Sequence, residues 1–293
     1  MPLLIGLGEL LWDMLPDGPR LGGAPANFAA SARSLGASAA VISRVGNDAN
    51  GNNARDQLAK LGLNIQLIQV DAVLPTGIVT VAIDDSGQPQ YTIQQNVAWD
   101  SIEAPAEAIN LAQSADAICF GSLAQRSEKS RRSIHQLLQR TGKQTLRIFD
   151  VNLRQHYFSR EILDESLKTA NILKVSDEEL PVFAQTMGVK GQQKEILNWL
   201  AGSYNLKLIA LTRGAQGSLL WRDGEISDLA GVATRVVDTI GAGDSFTAAM
   251  TLGLLAGWDL ELINQRANQV AAFVCSQAGA MPAFPAELKQ LFL

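Results

Sequence analysis

Short apolar runs alternate with segments of helical periodicity along most of this 293-residue chain. "LLIGLGEL" predicts a first strand. "APANFAASARSLG" predicts a helix, with Pro25 or Asn27 in its first turn and Gly36 as its stop. "SAAVISRVG" reads as a strand, "NGNNARDQLAKLG" as a helix ending at Gly62, and "IQLIQV" as another strand. Farther on, "DAICFGS", "LRIFDVN", "ILKVS" and "LKLIALTRG" read as buried strands, each followed by a polar or helical segment. This alternation predicts an α/β fold with a mostly parallel sheet. In such sheets ligands gather at the carboxyl ends of the strands.

One segment breaks the rhythm. From Pro75 to Trp99, "PTGIVTVAIDDSGQPQYTIQQNVAW" holds no helical pattern and reads as two strands joined by a turn at Asp84–Gly87. A second irregular piece, "WDMLPDGPRLGG", lies near the N-terminus. The two excursions, spanning about 10–23 and 74–98, are expected to pair into a small sheet outside the main fold. With no internal repeat and no low-complexity linker, they read as insertions in one domain covering residues 1–293.

Composition narrows the classes. Hydrophobic residues make up 47% and charged residues 18%, as in a globular chain. The balance of 24 basic against 29 acidic side chains, with no basic patch, argues against nucleic acid as a main partner. The basic residues from Arg126 to Arg140 read as a solvated helix face. Cys119 and Cys275 each sit in an apolar run and are expected to be buried free thiols in a reducing cytoplasm. The N-terminus does not have the make-up of a signal peptide, and no apolar run is long enough to predict a membrane span. His135 and His156 belong to no cluster with metal-ligand spacing.

Two glycine turns carry candidate chemistry. In "DTIGAGDSF", Gly241, Ala242 and Gly243 precede an apolar helical run, and Asp244 falls in its first turn. Backbone amides at a helix N-terminus form an anion site, and a carboxylate beside it suits phosphoryl transfer to a hydroxyl. The plainer reading is a turn and a helix cap. In "LGGAPANFA", Gly22 and Gly23 precede a helix whose first turn carries Asn27; a tight loop and a ligand-contacting loop both fit. Neither a P-loop nor a dinucleotide glycine motif is present. The "GDS" at Gly243–Ser245 lacks the elbow motif and a histidine base for a serine hydrolase.

Taken together, "GGAPANFA" and "DTIGAGDSF" resemble, in order and separation, the two hallmark segments of the ribokinase-like (PfkB) carbohydrate kinases. "PTGIVTVAID", "NVAWD", "FDVNLR", "KVSDEEL", "LTRGAQGS" and "AFVCSQAGAMPAFP" extend the likeness along nearly the whole chain. "GELLWDMLP", "NVAWD" and "DVNLR" are most similar to the fructokinase branch.

The resemblance implies a ribokinase-like three-layer core with a small β-sheet lid, a sugar beneath the lid and ATP in a neighbouring groove. It implies Asp13 as a ligand of sugar hydroxyls, with Gly23 and Asn27 in the sugar-contacting loop. Gly241, Ala242 and Gly243 match the anion hole, and Asp244 the catalytic base. Asp238 matches a residue that in many members helps hold a monovalent cation, with K⁺ the candidate. Thr212, Gly214 and Gly217 match a loop touching the nucleotide phosphates, and Asn268 is expected near the adenine. Glu179 matches the glutamate that supports Mg²⁺ through water; Ser176 stands where many members carry Asn. Arg154, after the strand ending at Asp150, is a candidate for a phosphoryl group or an anionic substrate.

The activity so implied is ATP-dependent phosphorylation of the primary hydroxyl of fructose. The alternatives are a 2-keto-3-deoxygluconate or other sugar kinase, and a catalytically silent sugar-binding regulator. In the lid strand, Ile78/Thr80/Ala82 and Val79/Val81/Ile83 are both largely apolar, so one face is expected to cover the sugar and the other a second subunit in a two-fold dimer.

Overall fold

The computed structural model describes residues 1–16, 18–83 and 89–292; for 81–83 and 89–90 only the backbone is described. The expected lid turn at Asp84–Gly87 lies outside the described residues.

The chain begins with strands β1 (Leu3–Leu7), β2 (Leu11–Leu15) and β3 (Gly18–Gly22), then helix α1 (Ala24–Ser34), β4 (Ser38–Gly46), α2 (Ala49–Lys60) and β5 (Ile68–Asp71). The pair β6 (Gly77–Ile83) and β7 (Pro89–Ile93) follows. Alternation then resumes with α3 (Ala106–Ser114), β8 (Ala117–Phe120), α4 (Glu128–Gln139), β9 (Leu146–Asp150), α5 (Arg160–Thr169) and β10 (Ile172–Ser176). After α6 (Glu179–Met187), α7 (Gln193–Ser203) and β11 (Leu208–Thr212) come β12 (Ser218–Arg222) and β13 (Glu225–Leu229), and the chain closes with α8 (Ala242–Leu255), α9 (Leu260–Cys275) and α10 (Ala286–Gln290).

A nine-stranded sheet runs in the order β13-β12-β11-β10-β9-β8-β1-β4-β5. It is parallel from β5 to β11, and β12 and β13 add an antiparallel edge. The parallel strands are apolar on both faces because helices cover both. Leu4, Val41, Ala117 and Ile148 pack with residues of α1, α2, α8 and α9. Their neighbours Ile5, Ile42, Ile118 and Phe149 pack with α3 to α7. The predicted strands fall where expected, though of "IQLIQV" only the part from Ile68 onward is extended, in β5 (Ile68–Asp71). The β12–β13 edge was not anticipated; its turn, Asp223-Gly224, has both residues at positive φ, as a two-residue hairpin requires.

The lid is a separate four-stranded sheet in the order β3-β2-β6-β7. Register places Arg20, Asp13, Val79 and Ile93 side by side across it. Val79 and Ile93 are buried against the core, so this row is the inner face. The lid's anchors explain two sequence motifs. Thr76, at the start of β6, gives its amide and hydroxyl to the Asp48 carboxylate at 2.8 and 2.7 Å. In "NVAWD", Asp100 forms a two-point ion pair with Arg126, whose guanidinium also lies 3.9 Å over the Trp99 ring. Arg126 is therefore no member of a solvated face: only 6% of its side chain is exposed.

Candidate active site

Asp244 lies in the first turn of α8, as the sequence predicts, and its neighbours come from distant segments. Gly241, at φ 80°, caps the helix in a conformation open to glycine. The amides of Gly243 and Asp244 find no acceptor among the described residues, which leaves them directed at the space before the helix. Beneath Gly243 lies the Lys174 ammonium: a β-carbon on Gly243 would come within 3.1 Å of Nζ. A glycine there lets the cation approach the turn.

Lys174 is the charged exception in β10, 7% exposed, and pairs with Asp150 at 3.0 Å. Burial alone would lower its proton affinity, but the carboxylates of Asp150, Glu179 and Asp244 outweigh that and hold it well above the ordinary lysine value. Asp150 feels the opposite pull, since burial raises it while Lys174 opposes. Burial prevails and holds Asp150 above its ordinary value, while the ion pair and a 3.2 Å hydrogen bond from Thr247 favour its ionised form.

Asn27, 4% exposed, donates its side-chain amide to Asp244 Oδ2 at 2.8 Å. Burial pushes the Asp244 carboxyl up to about 6, and the Asp150 charge adds to it; the Asn27 hydrogen bond, Lys174 and Arg154 pull the other way. A base near 6 is ionised at neutral pH and still has proton affinity, which suits proton transfer.

Glu9 was not singled out in the sequence. It follows β1, is 1% exposed and takes backbone hydrogen bonds from itself and Ala24, while its Oε2 has no partner. Burial pushes it up to about 7, with the Asp244 charge adding and Arg154 opposing. Gly23, at φ 111°, passes so close that a β-carbon would meet the Glu9 carbonyl at 2.4 Å. That contact packs the sugar-loop candidate against the backbone of Glu9.

Asp13 projects from the inner lid face; its Oδ2 lies where a β-carbon on Gly22 would come within 2.6 Å. Burial raises its proton affinity, Arg154 opposes and Asp238 adds. Arg154 is exposed and makes no ion pair among the described residues, yet its charge acts on Glu9, Asp13 and Asp244 together. The structure thus brings Asp13, Gly23, Asn27, Arg154 and Asp244 to one place, beyond the carboxyl ends of the parallel strands.

The other candidates lie in adjoining elements. Asp238 pairs with Arg20 at 2.9 Å. Glu179 accepts the amides of Leu153 at 2.8 Å and Ser176 at 2.9 Å, and the Ser176 hydroxyl accepts the Glu179 amide at 3.2 Å. Ser176 and Glu179 thereby bond reciprocally in the manner of a capping box. Both carboxylate oxygens keep a lone pair, which fits water-mediated support of Mg²⁺ but supplies no full cage. Thr212 ends β11, and its carbonyl accepts the Asp177 amide at 2.8 Å. Gly214 and Gly217 bracket a short turn at φ 52° and 87°. Asn268 is buried, and its amide is spent on Ser218 at 2.7 Å and on Asn264.

The profile of the pfkB family carbohydrate kinases matches residues 19–287. An uncharacterized sugar kinase of Pyrococcus horikoshii, PH1459, is 31% identical over 95% of this chain and 91% of its own length. Its structure in complex with ATP superposes with a TM-score of 0.83 at 28% identity, covering 100% of both chains. The fructokinase of Escherichia coli is 27% identical over 95% of each chain. The site described above lies on the matched scaffold, and the chain belongs to the pfkB family of carbohydrate kinases.

Proposed function

We propose that this protein transfers the γ-phosphoryl group of ATP to the primary hydroxyl of fructose, releasing fructose 6-phosphate and ADP. The observation that carries the reading is the meeting of a half-buried carboxylate, Asp244, with unpaired helix-terminal amides under a lid that contributes Asp13. Asp13, Gly23, Asn27 and Arg154 hold the sugar. Its hydroxyl oxygen bonds to the γ-phosphorus as the bridging P–O bond to ADP breaks, and Asp244 takes the hydroxyl proton. The free amides of Gly243 and Asp244, backed by Lys174, stabilise the charge on the moving phosphoryl group, while the Ala242 amide of the expected anion hole is given to the Thr239 carbonyl at 3.3 Å. Thr212, Gly214, Gly217 and Asn268 form the nucleotide side, and Glu179 supports Mg²⁺ through water. Fructose is favoured by the likeness to fructokinases and by the "NVAWD" and "DVNLR" segments.

One observation favours a second reading. Arg154, exposed and without an ion pair among the described residues, faces three carboxyls at the site. A substrate bearing its own carboxylate, such as 2-keto-3-deoxygluconate, would meet it with a forked contact. ADP release measured over a panel of fructose, ribose, glucose and 2-keto-3-deoxygluconate separates the readings. Turnover of fructose supports the first; turnover of the keto acid without fructose supports the second; sugar binding with no ADP release would leave a silent binder. We further propose a cytoplasmic site of action, which two free cysteines fit. Among the described residues no helix is long and apolar enough to cross a membrane.

A further inference from the structure

Asp238 holds the glycine turn in place. Its Oδ1 accepts the Ile240 amide at 3.0 Å, and its Oδ2 accepts the Gly279 amide at 3.1 Å. Ala280, the next residue, lies against Gly241 so closely that a β-carbon there would come within 2.7 Å. The carboxylate therefore ties the start of the turn to the segment after α9. Its side chain is 13% exposed, and a carboxylate so withdrawn from water is costly without a countercharge.

Arg20 supplies that charge. Its Nη1 lies 2.9 Å from Asp238 Oδ2, across 218 residues of sequence. Arg20 belongs to β3 of the lid and is the register partner of Asp13, so the same inner face presents the sugar-ligand candidate and the cation. The family resemblance assigns Asp238 to a monovalent metal ion, but its surroundings here do not fit one. Oδ2 already accepts two bonds, one of them from the Arg20 guanidinium, so a positive charge is in place beside the carboxylate, and Oδ1 accepts one.

We propose that the Arg20 guanidinium takes the place of a monovalent cation at Asp238, so that the charge beside the anion turn is carried by the lid instead of being drawn from solution. Assembly of the turn then follows lid docking and not the salt present. A groove of about 530 Å³ beside the pair, lined by Arg20, Lys60, Gly279 and Met281 among others, would give a small ion access to Asp238 once the guanidinium is removed.

The test compares KCl with choline chloride at equal ionic strength, reading thermal unfolding for the wild type, Arg20→Gln and Arg20→Ala. The wild type is expected to melt at the same temperature in both salts. The two variants are expected to melt higher in KCl, or with a low concentration of guanidinium, by roughly 2–4 °C. This arm does not depend on the proposed activity, so its failure is separate from failure of the kinase reading. In the activity arm, which rests on that reading, wild-type ADP release is indifferent to K⁺, while that of the variants rises about tenfold with it. A K⁺-specific rise in wild-type melting temperature or turnover overturns the proposal even if neither variant folds. Variants that fold but ignore both K⁺ and guanidinium overturn it as well.

Discussion

The side-chain amide of Asn27 points its hydrogen at Asp244 Oδ2 from 2.8 Å, joining the first turn of α1 to the first turn of α8. These are the two glycine-preceded helix starts that stood out in the sequence. The contact means that the sugar loop and the base are one unit. It also holds the Asp244 carboxylate in a fixed orientation and favours its ionised form.

Asp244→Asn keeps the shape and can still accept from Asn27, but it cannot take a proton as a carboxylate does. We expect kcat to fall by about 10²–10⁴ while nucleotide binding, read by calorimetry, changes little. Asp244 binds its proton more tightly folded than unfolded, so its ionised form opposes folding above about pH 6. The variant should therefore be more stable than the wild type at about pH 8, and that advantage should shrink toward about pH 4. Normal turnover with a loss of about 0.5–2 kcal/mol of stability would instead mark Asp244 as a helix cap.

Glu9→Gln tests the carboxyl that the sequence concealed. Glu9 contributes stability that is complete below its ordinary value of 4.5 and disappears as pH rises through about 7. The variant lacks this dependence, so its stability relative to wild type should climb between about pH 5 and pH 8, with a ceiling on the order of 3 kcal/mol. Asp244 ionises first, near 6, so its charge acts on Glu9 and not the reverse, and the acid limb of the kcat/KM profile should stay in place in Glu9→Gln. Denaturant melts across that range read the stability effect, and parallel curves for variant and wild type would rule out a buried Glu9 that holds its proton to near pH 7.

The outer lid face bears on assembly. At its base Trp12, Leu21 and Ile78 pack on their own chain, whereas Met14, at 37% exposure, stands beside exposed Thr80 and Thr92. We propose that this upper part meets its copy in a two-fold dimer. Light scattering should give twice the mass of one chain, and Met14→Glu should return it to one. A single-chain mass for the wild type at working concentration would remove the dimer.

The large sheet was legible because its strands are apolar on both faces and its helices follow the 3.6 period. The glycine turn and Asp244 were legible because helix-start chemistry is local. Glu9 and Lys174 were passed over as parts of apolar runs, although a lone charge in such a run is a signal, since it must be paired or carry a shifted pKa when buried. Arg126 was misread because nothing in a basic helical stretch reveals that Asp100 and Trp99 lie over its guanidinium. The Arg20–Asp238 contact depends on the lid folding back over the core, which no local pattern encodes.

The Lys174–Asp150 pair makes the sharpest distinction between structural and chemical roles. Both groups are buried, and removing one partner leaves the other charge without compensation, a change that typically costs about 3–5 kcal/mol. Lys174→Met should therefore lower stability by that order in denaturant melts. Adding Asp150→Asn removes the stranded carboxylate and should recover much of the loss, a non-additivity expected only of groups in contact. Activity should not recover with it. The ammonium lies under Gly243, where phosphoryl charge develops in the proposed reaction, and a neutral pair offers nothing to that charge. A double variant that regains stability while ADP release stays at least about tenfold below wild type assigns Lys174 to the anion site. If turnover returned in step with stability, Lys174 would be a structural ion-pair partner and the turn's amides alone would carry the charge.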